Sequence, residues 1–456
     1  MAQIRNTFTI GGIHPADCKL SKDCAIEVLP LPEKVYVSMA QHLGAPATPI
    51  VAVGDSVKVG QVIAQPTGFI SAFVHSPVSG TVKSIGPRPD LAGNKVNHIE
   101  IEVEGDEWAE GIDLSPELIS TLPEDNAVIL DRIKAAGVVG LGGATFPTHV
   151  KLCPPPGKTA DVLIINGSEC EPYLTSDYRI MLERSSEILV GVALMKKVLG
   201  VKQCVIGVED NKPRAIESLN DALSALQTLG EAYQGIEIRP LLKKYPQGGE
   251  KQLIDAVTGR QVPSMGLPID AGAVVQNVGT ALAVYEAVQK NKPLISNVLS
   301  VTGDCLPESC QHNYQYRIGI PYRHIIECAG GMPEAAVKVI SGGPMMGKAI
   351  ANLDATTQKG TSAVLFLTEE QTRRKSESVC IRCGRCLDAC PMGLEPYLLK
   401  KLADVSDYAA LEENAIQDCI ECGCCLYSCP AYIPLLDIIR GAKADVMKII
   451  KSRPRE

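Results

Sequence analysis

The chain has no excess of basic charge: 44 Lys and Arg stand against 52 Asp and Glu, a formal net charge of -8 at pH 7. A protein that tracks a phosphate backbone carries a cationic stripe, so nucleic acid is excluded as the expected partner. The sequence also lacks any run approaching the ~20 consecutive apolar residues that cross a bilayer. Met1 to Ile10 has none of the charged start, apolar centre and cleavage site of a secretory leader. The expected location is therefore cytoplasmic, with contact to a membrane protein left open. At 456 residues the chain is too long for one core, and a prior of roughly 150 residues per domain gives three or four.

Cysteine is the residue present in surplus. Nine of the seventeen lie between Cys380 and Cys429, and the others are scattered. That distribution suits a metal domain better than a disulfide scaffold. Cys380, Cys383, Cys386, Cys390 and Pro391 form one C-x2-C-x2-C-x3-C-P run, and Cys419, Cys422, Cys425, Cys429 and Pro430 repeat it. This is the pattern of two-cluster ferredoxins, in which three thiolates wrap one [4Fe–4S] cubane and the fourth ligates the other. The expected sets are Cys380, Cys383, Cys386 with Cys429, and Cys419, Cys422, Cys425 with Cys390. Paired zinc sites are the alternative, but zinc rarely uses a third evenly spaced cysteine. Cys424 is an extra thiol, read as packed rather than ligating. Arg382 and Arg385 near the first run, and Asp418 and Glu421 near the second, either bias the two potentials apart or are ordinary surface charge.

Upstream, residues 51–101 alternate Val, Ile and small residues between glycines and prolines, as short strands do. The segments 53–64 and 75–85 are similar to the halves of a lipoyl or biotinyl carrier, yet Phe69 stands where the carrier lysine would fall. A structural barrel-sandwich hybrid is expected instead. From about Asp125, strand-like 162–166, 204–208 and 236–242 alternate with helical 180–199, 215–226 and 251–257, which argues an α/β domain with a largely parallel sheet. Its ligands belong at the carboxyl ends of the strands. A turn-rich segment after Asn291, with Cys328–Glu334 and Ser341–Gly347, reads as a β-grasp module of SLBB type. The expected domains are thus 1–115, 116–290, 291–367 and 368–456, a multidomain α/β and α+β chain. After Pro434, Leu435, Leu436, Ile438, Ile439, Val446, Ile449 and Ile450 form an apolar stripe, either core or a docking face.

Gly140, Gly142 and Gly143, followed by Phe146 and Lys151, form a loop whose backbone N–H groups can approach an anion closely, although a tightly packed turn has the same composition. Asn166, Glu169 and Glu171 end a strand, with two carboxylates able to face one pocket. Tyr245, Gly248 and Glu250 open a helix, and Gln276, Asn277 and Thr280 offer polar groups to a ring or ribityl chain.

The stretches Gly140 to Lys151, Asn166 to Pro172 and Tyr245 to Glu250 together resemble the flavin- and NADH-binding elements of the flavoprotein subunit of respiratory complex I. With the N-terminal Gly11-Gly12-Ile13-His14-Pro15, the segment 26–36 and the two ferredoxin runs added, nearly the whole chain is similar to the RnfC family, the C component of Rnf-type electron transport complexes. The resemblance implies FMN on Gly140, Gly142, Gly143, Lys151, Asn166, Glu169, Tyr245, Gly248, Gln276, Asn277 and Thr280. It implies NAD(H) as substrate against Phe146, Glu171 and Glu250, the catalytic positions. Gly249 departs from the complex I pattern, which has a second glutamate there. The implied partners are the other subunits of a membrane complex and ferredoxin or a cluster-bearing subunit. The implied location is peripheral, on the cytoplasmic side of the cell membrane, with ion translocation left to partners that span it. Two other readings share these motifs: a soluble flavin and iron–sulfur reductase similar to corrinoid reductases, and a cluster-bearing adaptor with an inactive nucleotide domain.

Overall fold

The computed structural model describes residues 6–453; residues 1–5, which open the stretch read for a leader, and 454–456, which end the fourth expected domain, lie outside that description. Among the described residues no helix is long and apolar enough to cross a membrane.

Period-two burial builds the first body. Val35, Val37, Ile99 and Ile101 are each at most 1% exposed, because alternate side chains of a strand face the same side. They come from a four-stranded sheet ordered Lys34–Ser38, Lys95–Val103, Gly80–Pro89, Ser56–Val57. A second sheet of Thr48–Pro49, Val62–Gln65 and Val74–His75 completes the sandwich. Phe69, at the carrier-lysine position, is 82% exposed.

The α/β body has a fully parallel sheet ordered Ile236–Leu241, Gln203–Glu209, Val162–Gly167, Ala273–Asn277. Both faces are covered, as parallel sheets require. Ile164 and Val275 pack on Leu253 and Ile254 of helix Glu250–Thr258, while Leu163 and Ile165 join the core under helices Ser185–Leu199 and Val278–Gln289. Gly191 sets the spacing of that helix pair, since a Cβ there would stand 1.9 Å from the Ala281 carbonyl oxygen. The single helix expected over 180–199 is two, Ser176–Glu183 and Ser185–Leu199. Arg184 leaves helical geometry between them at φ -130°, its guanidinium bound to Glu187 and Glu286.

The third body is a mixed six-stranded sheet with helix Tyr322–Cys328 packed on it through Tyr322, Ile325 and Ile326. Its edge strand is Ile26–Val28, paired parallel with His312–Arg317. This strand, inside the expected 1–115 domain, thus joins the sheet of the third body. Residues 6–25 lie over the α/β body, where the Thr9 N–H and hydroxyl donate to Asp255 at 2.8 and 2.7 Å, and Ile13 bridges to Tyr245. A strand's pattern reveals its pleat but not the sheet it joins.

The cluster domain is held by Leu399, Leu411, Ile416, Ile433, Leu435, Ile439 and Val446. Leu435, Ile439, Val446 and Ile450 of the stripe on helix Leu435–Ser452 thus serve as that domain's core, while Ile449 stays exposed.

Candidate functional site

The residues singled out in the sequence gather at the carboxyl ends of the parallel strands, where α/β sheets place their ligands. Asn277 ends its strand and caps helix Val278–Gln289, its side-chain oxygen accepting from the N–H groups of Gly279 and Thr280. The glycine loop is fastened beside it: Leu141 N donates to Thr280 Oγ1 at 2.9 Å, and Gly140 N donates to the Phe146 carbonyl at 2.9 Å. A Cβ on Gly142 would meet Asn277 Cβ at 3.0 Å, whereas Gly143, at φ +147°, faces open space. Gln276 Nε2 is buried with no partner. An orphaned amide beside an exposed glycine loop is what a site awaiting a polar ligand presents, because buried donors are otherwise satisfied. Lys151 and Glu250 close one side as an ion pair at 2.5 Å. Asn166 Nδ2 donates to the Gly248 carbonyl at 2.8 Å. The residues present fit FMN.

The expectation that Glu169 and Glu171 share one pocket is not met. Glu169 sits at φ +47°, which turns the chain between them. Its carboxylate accepts from the Asp177 and Tyr178 N–H groups at 2.7 and 3.3 Å, at the start of helix Ser176–Glu183. Glu171 points the other way and accepts from Met345 N at 3.0 Å and Met346 N at 2.8 Å, in the 341–347 turn of the third body. Burial pushes Glu171 up to about 7.

Three residues of this loop's support were not legible. The Lys19 ammonium donates to the carbonyls of Glu169, Glu171 and Leu174 at 2.9, 2.9 and 2.6 Å. Lys212 donates to the Ser168 carbonyl at 2.6 Å. Asp177 accepts from Asn277 Nδ2 at 2.7 Å, and burial, with Glu169 beside it, pushes its carboxyl up to about 7. None of them stands in a recognisable motif.

The cysteines come together across the two runs. Cys390 lines one apolar cavity with Cys419, Cys422 and Cys425, walled by Leu394, Leu399 and Ile439. Four thiols lining one apolar cavity suit an iron–sulfur cluster. Cys429 stands within electrostatic reach of Cys386. Cys424 is fully buried, its sulfur 4.0 Å from the Tyr245 carbonyl oxygen. The acidic residues near the second run are neutralised locally: Glu421 by Arg440 and Lys443, Asp418 by Lys251 at 3.7 Å.

The cysteine-lined cavity abuts the α/β body. Tyr245, 1% exposed, donates its hydroxyl to the Cys422 carbonyl at 2.9 Å, so it sits at the domain junction with its hydroxyl turned to the clusters. Gln252 Nε2 donates to the Pro391 carbonyl at 3.1 Å, and Gly12 N to the Ala389 carbonyl at 3.0 Å. A groove of about 750 Å³ lies elsewhere, between 113–118 and Arg184, and shares no residue with the glycine loop.

Comparison with known proteins finds the sandwich, the α/β body and the cluster domain, the first matched together with the N-terminal residues that the structure lays against other bodies. Family models match in three places: RnfC barrel sandwich hybrid domain at residues 7–106, Nuo51 FMN-binding domain at 133–286, and 4Fe-4S dicluster domain at 373–431. The chain is 46% identical to the C component of the proton-translocating ferredoxin:NAD(+) oxidoreductase complex of Clostridium ljungdahlii, over 88% of this chain and 86% of that one. It is 44% identical to the Na(+)-translocating counterpart of Acetobacterium woodii, over 96% of each. The chain belongs to the RnfC family of Rnf-type complexes. Membership decides for the first of the three readings, an oxidoreductase subunit with FMN and two [4Fe–4S] clusters. Another member, from Rhodobacter capsulatus, is 41% identical over 96% of this chain and 83% of its own. An NAD+-reducing [NiFe]-hydrogenase chain shares the fold at TM-score 0.51 and 18% identity, over 73% of this chain and 64% of that one.

Proposed function

We propose that this chain is the peripheral subunit that carries electrons between NAD(H) and ferredoxin in a membrane-bound complex, on its cytoplasmic side, with ions moved by partner subunits. The observation that carries this is the junction of Tyr245 and Cys422, which sets the flavin body directly against the cluster domain. FMN, when bound, accepts the two electrons of a hydride and exchanges them singly with a cluster, which nicotinamide cannot do alone. The chain's own part is positional. Gly140, Gly142 and Gly143 offer backbone N–H groups, Lys151 a cation, and Asn166, Gly248, Gln276, Asn277 and Thr280 polar contacts to the flavin. Glu169 and Tyr245 stiffen that site from behind, given the bonds they make. Phe146 and Glu250 border the open side on which nicotinamide would lie, and Glu171 secures the turn that closes it. The cluster ligands are Cys380, Cys383, Cys386 and Cys429, and Cys419, Cys422, Cys425 and Cys390, the second set nearer the flavin. The third body, of SLBB type, holds that turn in place.

The test is anaerobic reconstitution of the full chain with FMN, iron and sulfide, followed by titration with NADH. Flavin bleaching together with cluster reduction is expected. Flavin bleaching that leaves both clusters oxidised, with dithionite able to reduce them, would refute the path.

A further inference from the structure

The two expected cluster sites differ in exposure. Cys390 and Cys422 are buried against the flavin body, whereas Cys383 is exposed. Around Cys383 the chain displays Val379 at 87% and Ile381 at 68% exposure. The neighbouring segment is pinned: Ser378 N donates to the Ala431 carbonyl at 2.9 Å, and Lys375 Nζ reaches the Tyr432 hydroxyl at 3.1 Å. Tyr432, 45% exposed, is thereby held close to this segment. Single exposed hydrophobes need no explanation, but several flanking cluster cysteines on a fixed loop do.

The charge here is opposite to that of the whole. Residues 373–385 carry Arg373, Arg374, Lys375, Arg382 and Arg385 against only Glu377, in a chain of net charge -8. Arg373, Arg382 and Arg385 are exposed and join no salt bridge among the described residues, while Arg374 reaches Asp437 at 3.1 Å. An apolar centre with a cationic rim is the anatomy of a protein interface whose partner is acidic. An exposed cluster edge is of use only to a redox partner.

We propose that an acidic, one-electron redox subunit of the same complex docks on Val379, Ile381, Arg382, Arg385, Lys375 and Tyr432. This rests on the electron path of the previous subsection. One electron crosses the interface at a time: the partner's redox centre is oxidised by one and the first-run cluster reduced by one, or the reverse, with no bond made and no proton moved. A resident subunit rather than a diffusing carrier is the occupant, because the exposed apolar centre suits a standing contact.

The test is rebinding of the full, cofactor-loaded chain to membranes from cells lacking it, as a function of salt. Ile381→Asp should weaken rebinding at least ~10-fold. Arg382→Glu with Arg385→Glu should weaken it about as much, with a shallower salt dependence than the unaltered chain. Lys375→Glu with Tyr432→Asp lies outside the ligand loop and decides the matter if Ile381→Asp lowers iron content. Iron content and NADH-driven cluster reduction in solution should stay as in the unaltered chain. Rebinding of every iron-replete variant at full affinity would overturn the proposal. So would parallel loss of binding to phosphatidylglycerol vesicles, which would make the face a lipid contact, or loss confined to a free ferredoxin. Failure of NADH to reduce clusters in the unaltered chain would sink the proposed path and leave the rebinding result readable.

Discussion

Glu171 makes the closure of the 341–347 turn depend on pH, with a sign that can be worked out. In the closed turn the carboxyl is buried and its pKa stands at about 7; once the turn opens to water it returns to its ordinary 4.5. Below 4.5 both states hold the proton and pH has no effect. Between 4.5 and 7 the closed state keeps a proton that the open state has lost, so closure weakens as pH rises. Above 7 the full difference applies, about 3 kcal/mol or roughly two and a half decades in the closing equilibrium. The Lys19 ammonium, which favours the carboxylate, and the N–H groups of Met345 and Met346 already act within that value. The assay is hydrogen exchange at the Met345 and Met346 amides, corrected for intrinsic rates, from pH 5 to 8, since a local opening is read at the amides it frees. Protection should fall across that range, and Glu171→Gln should flatten the profile while leaving FMN bound. An identical slope in Glu171→Gln would refute the reasoning.

Cys429→Ser should deplete the cluster on Cys380, Cys383 and Cys386 and spare the one lined by Cys390, Cys419, Cys422 and Cys425, as read by EPR and iron content. Gly142→Val, whose Cβ would press on Asn277 at 3.0 Å, should weaken FMN binding at least ~10-fold in a fluorescence titration. Lys19→Met leaves three carbonyls without their donor and should loosen the 169–174 loop by about 3 kcal/mol, seen as faster exchange there and a raised KM for NADH. Tyr245→Phe removes one hydrogen bond to Cys422, about 1 kcal/mol, and should expose the cluster domain to limited proteolysis without loss of iron.

What the sequence reveals follows from how local each cause is. Ligand spacing is a property of a dozen consecutive residues, so both cysteine runs are legible. Their crossing is carried by the fourth cysteine of each run, and Cys390 does line the cavity of the second. The parallel strands are legible because burial on both faces makes them continuous apolar runs. Direction is harder. Glu169 and Glu171 are two residues apart, and nothing in their order shows that a left-handed φ at Glu169 sends them to different bodies. The break at Arg184 is equally hidden, since its cause includes Glu286, about a hundred residues away. The apolar stripe after Pro434 has one pattern for two outcomes, and only the neighbours Leu399, Leu411 and Ile416 decide for core.

The polar groups that join the bodies share one logic. Lys19, from the N-terminal strap, satisfies carbonyls of the flavin body; Glu171, from the flavin body, satisfies N–H groups of the third. Lys359, from the third body, donates to the carbonyls of Phe73 at 3.1 Å in the sandwich and Gly137 at 2.6 Å at the head of the glycine loop. Burial pulls the Lys359 ammonium down to about 7, so it costs stability as a charge and is held by what it bonds. Apolar contacts alone would let such bodies slide, because they are non-directional, whereas a buried charged donor that loses its acceptors pays heavily for any displacement. A chain that passes electrons between centres in different domains needs those centres at fixed separation. Directional bonds at each junction supply that, and they explain why these buried charges sit at the seams of the molecule.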